Sequence, residues 1–227
     1  GAGRATQALI LRGTKTRPDI LFAIFLASLY WVGILSHLWP PTRPLMAVLT
    51  PHFLLATGVA ALLLAIPTER RAAYLTWVVL SCLVTFALEA LGVATGMVFG
   101  AYHYGGVLGS HVLGVPPVIG FNWVMVVLAF IGLLCRLPGG RVWGPLVAAA
   151  AATGFDWIME PVAIGLGYWT WEERDVPLQN YAAWFLIALA LSAAYALLGL
   201  RSRRDTPAIL AGAQLVFFGV LRVALFS

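Results

Sequence analysis

The sequence predicts an all-α, polytopic membrane protein built from about seven transmembrane helices. Of its 227 residues, 61% are hydrophobic and 10% are charged, and the mean hydropathy is +0.91. These values lie outside the usual range of soluble domains. A helix needs about 20 mainly apolar residues to cross the hydrocarbon layer. The chain has seven such runs and is expected to form one integral membrane domain over residues 1–227, with spans at about 20–38, 44–66, 72–94, 119–137, 142–164, 181–200 and 207–226.

The order of these spans fits the distribution of basic residues. With seven spans, eleven of the fourteen Lys and Arg residues fall on one side of the membrane: Arg4, Arg12, Lys15 and Arg17 before the first span, Arg70 and Arg71 after the second, Arg136 and Arg141 after the fourth, and Arg201, Arg203 and Arg204 after the sixth. The other side receives Arg43, Arg174 and Arg222. Because basic loops stay in the cytoplasm, we expect a cytoplasmic N-terminus, in the plasma membrane of a prokaryote. The net charge of +5 is therefore a topology signal, and no nucleic-acid partner is expected.

Two connections are longer than the others, at about residues 95–118 and 165–180. Both lie on the predicted outer side, and both are rich in Gly, Tyr and Trp. Long loops of this kind are functional or are ordered by packing on the bundle. Aromatic residues in them are by default interfacial anchors.

Polar side chains converge beneath these two loops. At 1.5 Å per residue, Glu89 lies roughly 25 Å along the third helix, and Asp156 and Glu160 lie roughly 21 and 27 Å along the fifth. Other polar groups stand near the outer ends of neighbouring helices: His52, Asn122 and Asn180. Ionisable residues within spans usually face a bundle interior or a water-filled cavity, so we expect a polar pocket in the outer third of the bilayer. The simpler alternative is that Glu89 and His52 are interhelical hydrogen-bonding partners.

Asp156 and Glu160 are the most informative pair. Residues four apart share one face of a helix, and two carboxylates there repel each other if both ionise. One is expected to keep its proton at neutral pH. Pro161 follows directly and removes a backbone amide, so we expect a kinked helix end that offers an acid, a carboxylate and a bare carbonyl to the cavity. Such a set suits general acid–base chemistry.

These residues also carry a resemblance. The strings "FGAYHYGGVLGSHVLGVPPVIGFNW" (99–123) and "DWIMEPVAIGLGYWTWEE", followed by "VPLQNYAAW" (156–184), resemble the carotenoid biosynthesis membrane-protein family, of the carotenoid 1,2-hydratase and bisanhydrobacterioruberin hydratase type. The motifs occur in the family's order. Two positions depart from its pattern: Glu160 stands where Asp is common, and Ala183 where Gly is common.

The resemblance implies hydration of the terminal C1=C2 double bond of a linear carotenoid end group. Its partners would be the carotenoid, water and the lipid bilayer, with no cofactor and no metal required. We expect Asp156 or Glu160 to donate the proton, and the other carboxylate or Glu89 to orient the water. Supporting residues would stabilise a cation or hydrogen-bond the acids and the water: Trp157, Tyr168 and Trp169 for the first role, and Asn122, Asn180, His52 and Tyr102 for the second, with His103 in the same loop.

Three other functions fit the sequence less well. A transporter or proton channel could relay protons through Glu89, Asp156 and Glu160, but these acids share one depth and no inverted repeat is visible. A retinal protein needs a lysine within a span, and the chain's single lysine, Lys15, precedes all of them. A haem or di-metal oxidase needs several histidines at bilayer depth, where only His52 is expected.

Overall fold

A computed structural model describes residues 17–173 and 175–225 and confirms the predicted helical membrane bundle. Arg4, Arg12, Lys15 and Arg174, which contributed to the predicted orientation, lie outside the described residues. The described part of the chain contains seven long helices: α1 (Arg17–Leu38), α2 (Arg43–Ala65), α3 (Arg71–Thr95), α4 (Val118–Leu134), α5 (Gly140–Gly165), α6 (Leu178–Leu197) and α7 (Thr206–Leu225). Among the described residues, six helices are long and apolar enough to cross a membrane, whereas α4 has 17 residues and is shorter.

The short helix α4 forms the centre of the bundle. It packs against α2, α3, α5, α6 and α7, and eleven of its 17 residues are buried. Gly120 allows α3 and α4 to approach closely, since a Cβ there would lie 2.7 Å from the backbone oxygen of Cys82 on α3. On α5, Ala148, Ala149 and Ala152 are fully buried, as expected for a helix with a close packing surface.

Helix α5 contains Pro161 in its last two turns. The helix continues through Pro161 to Gly165. Because proline has no N–H, the carbonyl of Trp157, four residues earlier, loses its helical partner. The Arg222 guanidinium on α7 replaces it, with Nη1 donating to the Trp157 oxygen at 2.7 Å. The freed carbonyl therefore binds an arginine and does not supply the predicted bare acceptor to a cavity.

The two long loops pair with each other as a short β-ribbon, which the sequence analysis did not predict. Strands β1 (Tyr102–Tyr104) and β2 (Trp169–Trp171) are antiparallel, with Tyr102 opposite Trp171 and Tyr104 opposite Trp169. Backbone bonds extend the ladder at both ends, from Gly105 N–H to Tyr168 O at 2.8 Å and from Glu172 N–H to Ala101 O at 3.0 Å. The ribbon ties together the loops that follow α3 and α5.

Candidate active site

A cavity of about 80 Å³ lies next to the ribbon, between α2, α3, α4, α5, α6 and α7. This volume is several times the space that a single water needs. The helices line it with six acids and amides, which are the three predicted acids, the two predicted amides and Gln214: Glu89, Asp156, Glu160, Asn122, Asn180 and Gln214. The structure thus brings together the polar groups that the sequence placed at one depth.

Glu89 on α3 is surrounded by three hydrogen-bond donors. The Tyr102 and Tyr104 hydroxyls both donate to Oε2, the latter at 2.7 Å. The Trp123 indole Nε1–H donates to Oε1 at 2.6 Å. The side chain is 5% exposed, so these donors replace the water that a carboxylate would otherwise bind. Hydrogen bonds of this kind favour the charged form of an acid.

Glu160 on α5 also has three donors. The indoles of Trp169 and Trp171 donate to Oε2 at 3.0 and 3.1 Å, and Asn180 Nδ2 lies 3.4 Å from Oε1. Asp156, one turn earlier on the same face, accepts from Asn180 Nδ2 at 2.8 Å. Both acids are almost fully buried, at 2% and 1% exposure. Asn180 therefore bridges the pair, but the two carboxyls differ in how many donors they receive.

The ribbon explains how two loops supply four of these donors. Side chains alternate faces along a strand, so residues i and i+2 point the same way. Tyr102 and Tyr104 on β1 both reach Glu89, and Trp169 and Trp171 on β2 both reach Glu160. Each strand thus binds one carboxylate with one face.

The phenols of this region remain hydrogen-bond donors at physiological pH. Burial raises the pKa of Tyr102 and Tyr104 above the usual range for tyrosine, and the nearby Glu89 carboxylate raises the pKa of each further. Burial also raises the pKa of Tyr168, which lines the same cavity, to about 12. Neutral phenols beside a carboxylate donate their proton in a hydrogen bond and add no negative charge.

Aromatic rings form the rest of the wall near the acids. The Trp123 and Trp184 indoles stack with centroids 3.5 Å apart, and the Tyr102 and Trp171 rings lie 5.0 Å apart. The other lining residues are mainly aliphatic or aromatic and include Val126, Met159 and Phe218, with Gln214 as a further polar side chain. The cavity therefore combines a cluster of carboxyls with a mainly apolar wall.

Three predicted site residues do not line this cavity. His52 is exposed on α2 and lies 3.1 Å from the Val48 oxygen of its own helix; it is two residues, or roughly 200°, from Leu54, which does line the cavity. His103 is exposed because it alternates with Tyr102 and Tyr104. Trp157 is 54% exposed, about 100° round the helix from Asp156, and its ring lies 4.0 Å from the Arg222 guanidinium.

Sequence reasoning missed several residues that touch the acids or line the cavity beside them. Tyr104, Trp123 and Trp171 donate directly to Glu89 or Glu160, and Trp184 and Gln214 line the cavity. Tyr104 and Trp171 sit two residues from the predicted Tyr102 and Trp169, so strand alternation would have found them. No group of three or more His, Cys, Asp or Glu side chains placed to hold a metal ion occurs within residues 17–173 and 175–225.

Comparison with known proteins places this site in a family. The sequence profile of the family described as "Carotenoid biosynthesis protein" matches residues 49–226. The chain belongs to the carotenoid biosynthesis protein family. Every acid and amide of the cavity lies within the matched range, whereas α1 precedes it and none of its described residues lines the cavity.

A curated relative in this comparison is the bisanhydrobacterioruberin hydratase of Haloarcula japonica. It is 34% identical over 160 residues, which cover 63% of this chain and 53% of that protein. The chain thus spans about half the length of the curated relative that it matches. No solved structure matches this chain.

Proposed function

We propose that this chain is a carotenoid hydratase, which adds water across the terminal C1=C2 double bond of a linear carotenoid end group to give a tertiary 1-hydroxyl. The observation that carries the proposal is a cluster of three buried carboxyls in a cavity whose wall is mainly apolar and aromatic. Membership of the carotenoid biosynthesis protein family and the hydratase activity for which the relative from Haloarcula japonica is named support it.

The hydrogen bonds favour Asp156 as the proton donor. Burial favours the neutral form of all three acids, but Glu89 and Glu160 each accept from three donors, which favours their carboxylates relative to an acid with fewer donors. Asp156 accepts from Asn180 alone among the described donors, and it faces the negative charge of Glu160 one turn away. The one proton that this pair is expected to hold therefore belongs on Asp156, with Asn180 keeping the two acids in place.

The reaction needs one proton delivered to the alkene and one proton removed from the attacking water. Asp156 transfers its proton to C2 of the alkene, whose π electrons form the new C–H bond and leave a tertiary cation at C1. A water oxygen attacks C1, and its surplus proton passes to Glu160 or Glu89. Return of that proton to Asp156 restores the site. The sum is alkene plus water giving a tertiary alcohol, so the chemistry requires no cofactor.

The aromatic wall suits the charge that develops at C1. A cation over an aromatic face gains about 2 kcal/mol when desolvated. Tyr102, Trp123, Trp171 and Trp184 line the cavity beside the acids and replace Trp157 in this role, while Tyr168 and Trp169 remain candidates. Trp123 is well suited because its indole N–H donates to the Glu89 carboxylate, which makes the ring more electron-rich.

The apolar part of the cavity suits the polyene that follows the reacting end. Its lining by Val126, Met159 and Phe218 offers no hydrogen-bonding partner, as a hydrocarbon chain prefers.

A proton relay by a transporter is less well supported. All nine acidic residues are known from the sequence, and those other than the three in the cavity lie in loops or at helix ends, so no acid continues a relay across the bilayer.

The proposal is tested by pigment analysis of cells that make lycopene and express this chain. We expect carotenoids heavier by one water in the presence of the wild type. Asp156→Asn and Glu160→Gln should each lower that conversion at least about 100-fold, the size typical of lost acid–base catalysis. Glu173→Gln, which neutralises an exposed acid in the loop after β2, is the matched control and should convert normally. Unchanged pigments with wild-type protein in the membrane would contradict the proposal.

A further inference from the structure

The end of the bundle opposite the carboxyls is rich in arginine, and part of this charge is neutralised. Arg136 forms a salt bridge with Asp205, and Arg204 lies 3.4 Å from Asp19. These are the salt bridges within residues 17–173 and 175–225. The other arginines at this end have no acid within salt-bridge distance in that part of the chain. Two of them, Arg70 and Arg141, lie close to each other.

Arg70 and Arg141 converge on the C-terminal end of α6. Arg70 Nη1 donates to the Leu198 oxygen at 2.5 Å, and Arg141 Nη2 donates to the Gly199 oxygen at 3.3 Å. A Cβ on Gly199 would lie 2.9 Å from Nη1 of Arg70 and 3.1 Å from Nη1 of Arg141. The two guanidinium nitrogens are therefore no more than about 6 Å apart, so two positive charges repel each other at short range.

A cavity of about 240 Å³ opens beside this pair. Arg70, Arg201 and Arg203 line it, together with the backbone of Gly199 and the hydroxyl-bearing residues Tyr74 and Ser202. Glu69 is the acid in its wall, which leaves three arginines against one carboxylate. Arg70 itself adopts a left-handed backbone conformation, with φ 53° and ψ 28°, which is unfavourable for a residue with a Cβ and is typical of ligand sites.

We propose that this cavity binds a phosphate-type anion, which would sit between Arg70, Arg201 and Arg203 and relieve the repulsion between Arg70 and Arg141. Arginine binds phosphate oxygens with two parallel N–H groups. The arginine-rich end is predicted to face the cytoplasm, where anionic phospholipids concentrate and basic pockets between helices bind their head groups. A lipid headgroup and soluble phosphate share this chemistry, and the inference is independent of carotenoid hydration.

The test measures the thermal unfolding midpoint of the purified chain in neutral detergent. The additions are phosphatidylglycerol, phosphatidylcholine or inorganic phosphate. Phosphatidylglycerol at saturation should raise the midpoint by about 5 °C or more, and phosphatidylcholine should not. An equal rise with inorganic phosphate would identify a soluble anion as the ligand, and a rise with phosphatidylglycerol alone would identify the lipid headgroup.

Variants separate this site from general basic charge. Arg70→Gln removes a cavity arginine that also caps α6. Arg203→Gln removes a second one whose backbone N–H, bonded to Ala65 O at 2.7 Å, stays in place, so folding is preserved. Both should lose most of the anion-dependent rise. Arg71→Gln is the matched control, since it removes the same charge from an exposed position outside the cavity. Equal rises in Arg203→Gln and Arg71→Gln, or with both lipids, would overturn the proposal.

Discussion

Asp156 and Glu160 occupy the same helix face, and in the proposed mechanism the number of donors around each side chain separates their roles. Two indoles and an amide surround Glu160, whereas Asp156 shares that one amide. For a buried carboxylate, three N–H donors replace hydrogen bonds that water would otherwise supply. The proposed division between proton donor and base therefore depends on Trp169 and Trp171 as much as on the carboxyls themselves.

Tyr104 provides a test at the scale of one hydrogen bond. Tyr104→Phe removes the 2.7 Å bond to Glu89 and keeps the ring. A hydrogen bond to a charged group contributes about 1.5–3 kcal/mol, so we expect kcat/KM for hydration to fall by about 10- to 100-fold. The neighbouring residue on the strand is the control, because the side chain of His103 is exposed; His103→Ala should keep full activity. Equal losses in both variants would mean that the ribbon matters only for folding.

At the scale of elements, the ribbon depends on a close contact between two glycines. A Cβ on Gly105 would lie 2.1 Å from the backbone oxygen of Gly167, whereas nothing lies within 4 Å of a Cβ on Gly106. Gly105→Ala should therefore push the strands apart and withdraw donors from Glu89 and Glu160. We expect at least a tenfold loss of pigment conversion with normal amounts of protein in the membrane, and no loss for Gly106→Ala. Full activity of Gly105→Ala would show that the strand pairing is dispensable.

The bond between α5 and α7 at Trp157 makes a second prediction about elements. Arg222→Met removes the donor to the Trp157 oxygen, and an unpaired carbonyl costs about 1–3 kcal/mol, or several °C in the unfolding midpoint. In a Pro161→Ala background residue 161 regains its N–H and can pair with that oxygen, so the same change should cost less. The ring contact between Arg222 and Trp157 is lost in both backgrounds, so its contribution cancels when the two costs are compared. An equal cost in both would contradict this account of Pro161.

The helices and the depth of the three acids could be predicted from the sequence, whereas the ribbon could not. Long apolar runs predict membrane helices directly, because a span must be apolar over its whole length. Glu89, Asp156 and Glu160 stand out in such runs, and helical rise alone places them at one depth. The prediction that Trp157 stabilises a cation in the site is wrong in placement, because one residue from Asp156 is about 100° of helix rotation and Trp157 is exposed. The ribbon escaped prediction because three-residue strands from loops more than 60 residues apart carry no local signal.

At the scale of the whole molecule, the bundle has two ends with different chemistry. One end holds buried carboxyls beneath an aromatic ribbon, and the other holds arginines around a second cavity. The central helix α4 contributes Asn122 and Trp123 to the first cavity and packs on the helices that carry the acids. A buried acid that must keep or release a proton needs such a scaffold, because free access of water would remove the difference between the carboxyls.

The most direct measurement concerns the source of the oxygen in the product. Purified wild-type chain is incubated with lycopene in H₂¹⁸O without O₂, and the carotenoids are analysed by mass spectrometry. The account predicts a tertiary alcohol that carries one ¹⁸O for each hydroxyl, and none of this product with Asp156→Asn. A product formed only when O₂ is admitted, or one whose hydroxyl lacks the label, would contradict it.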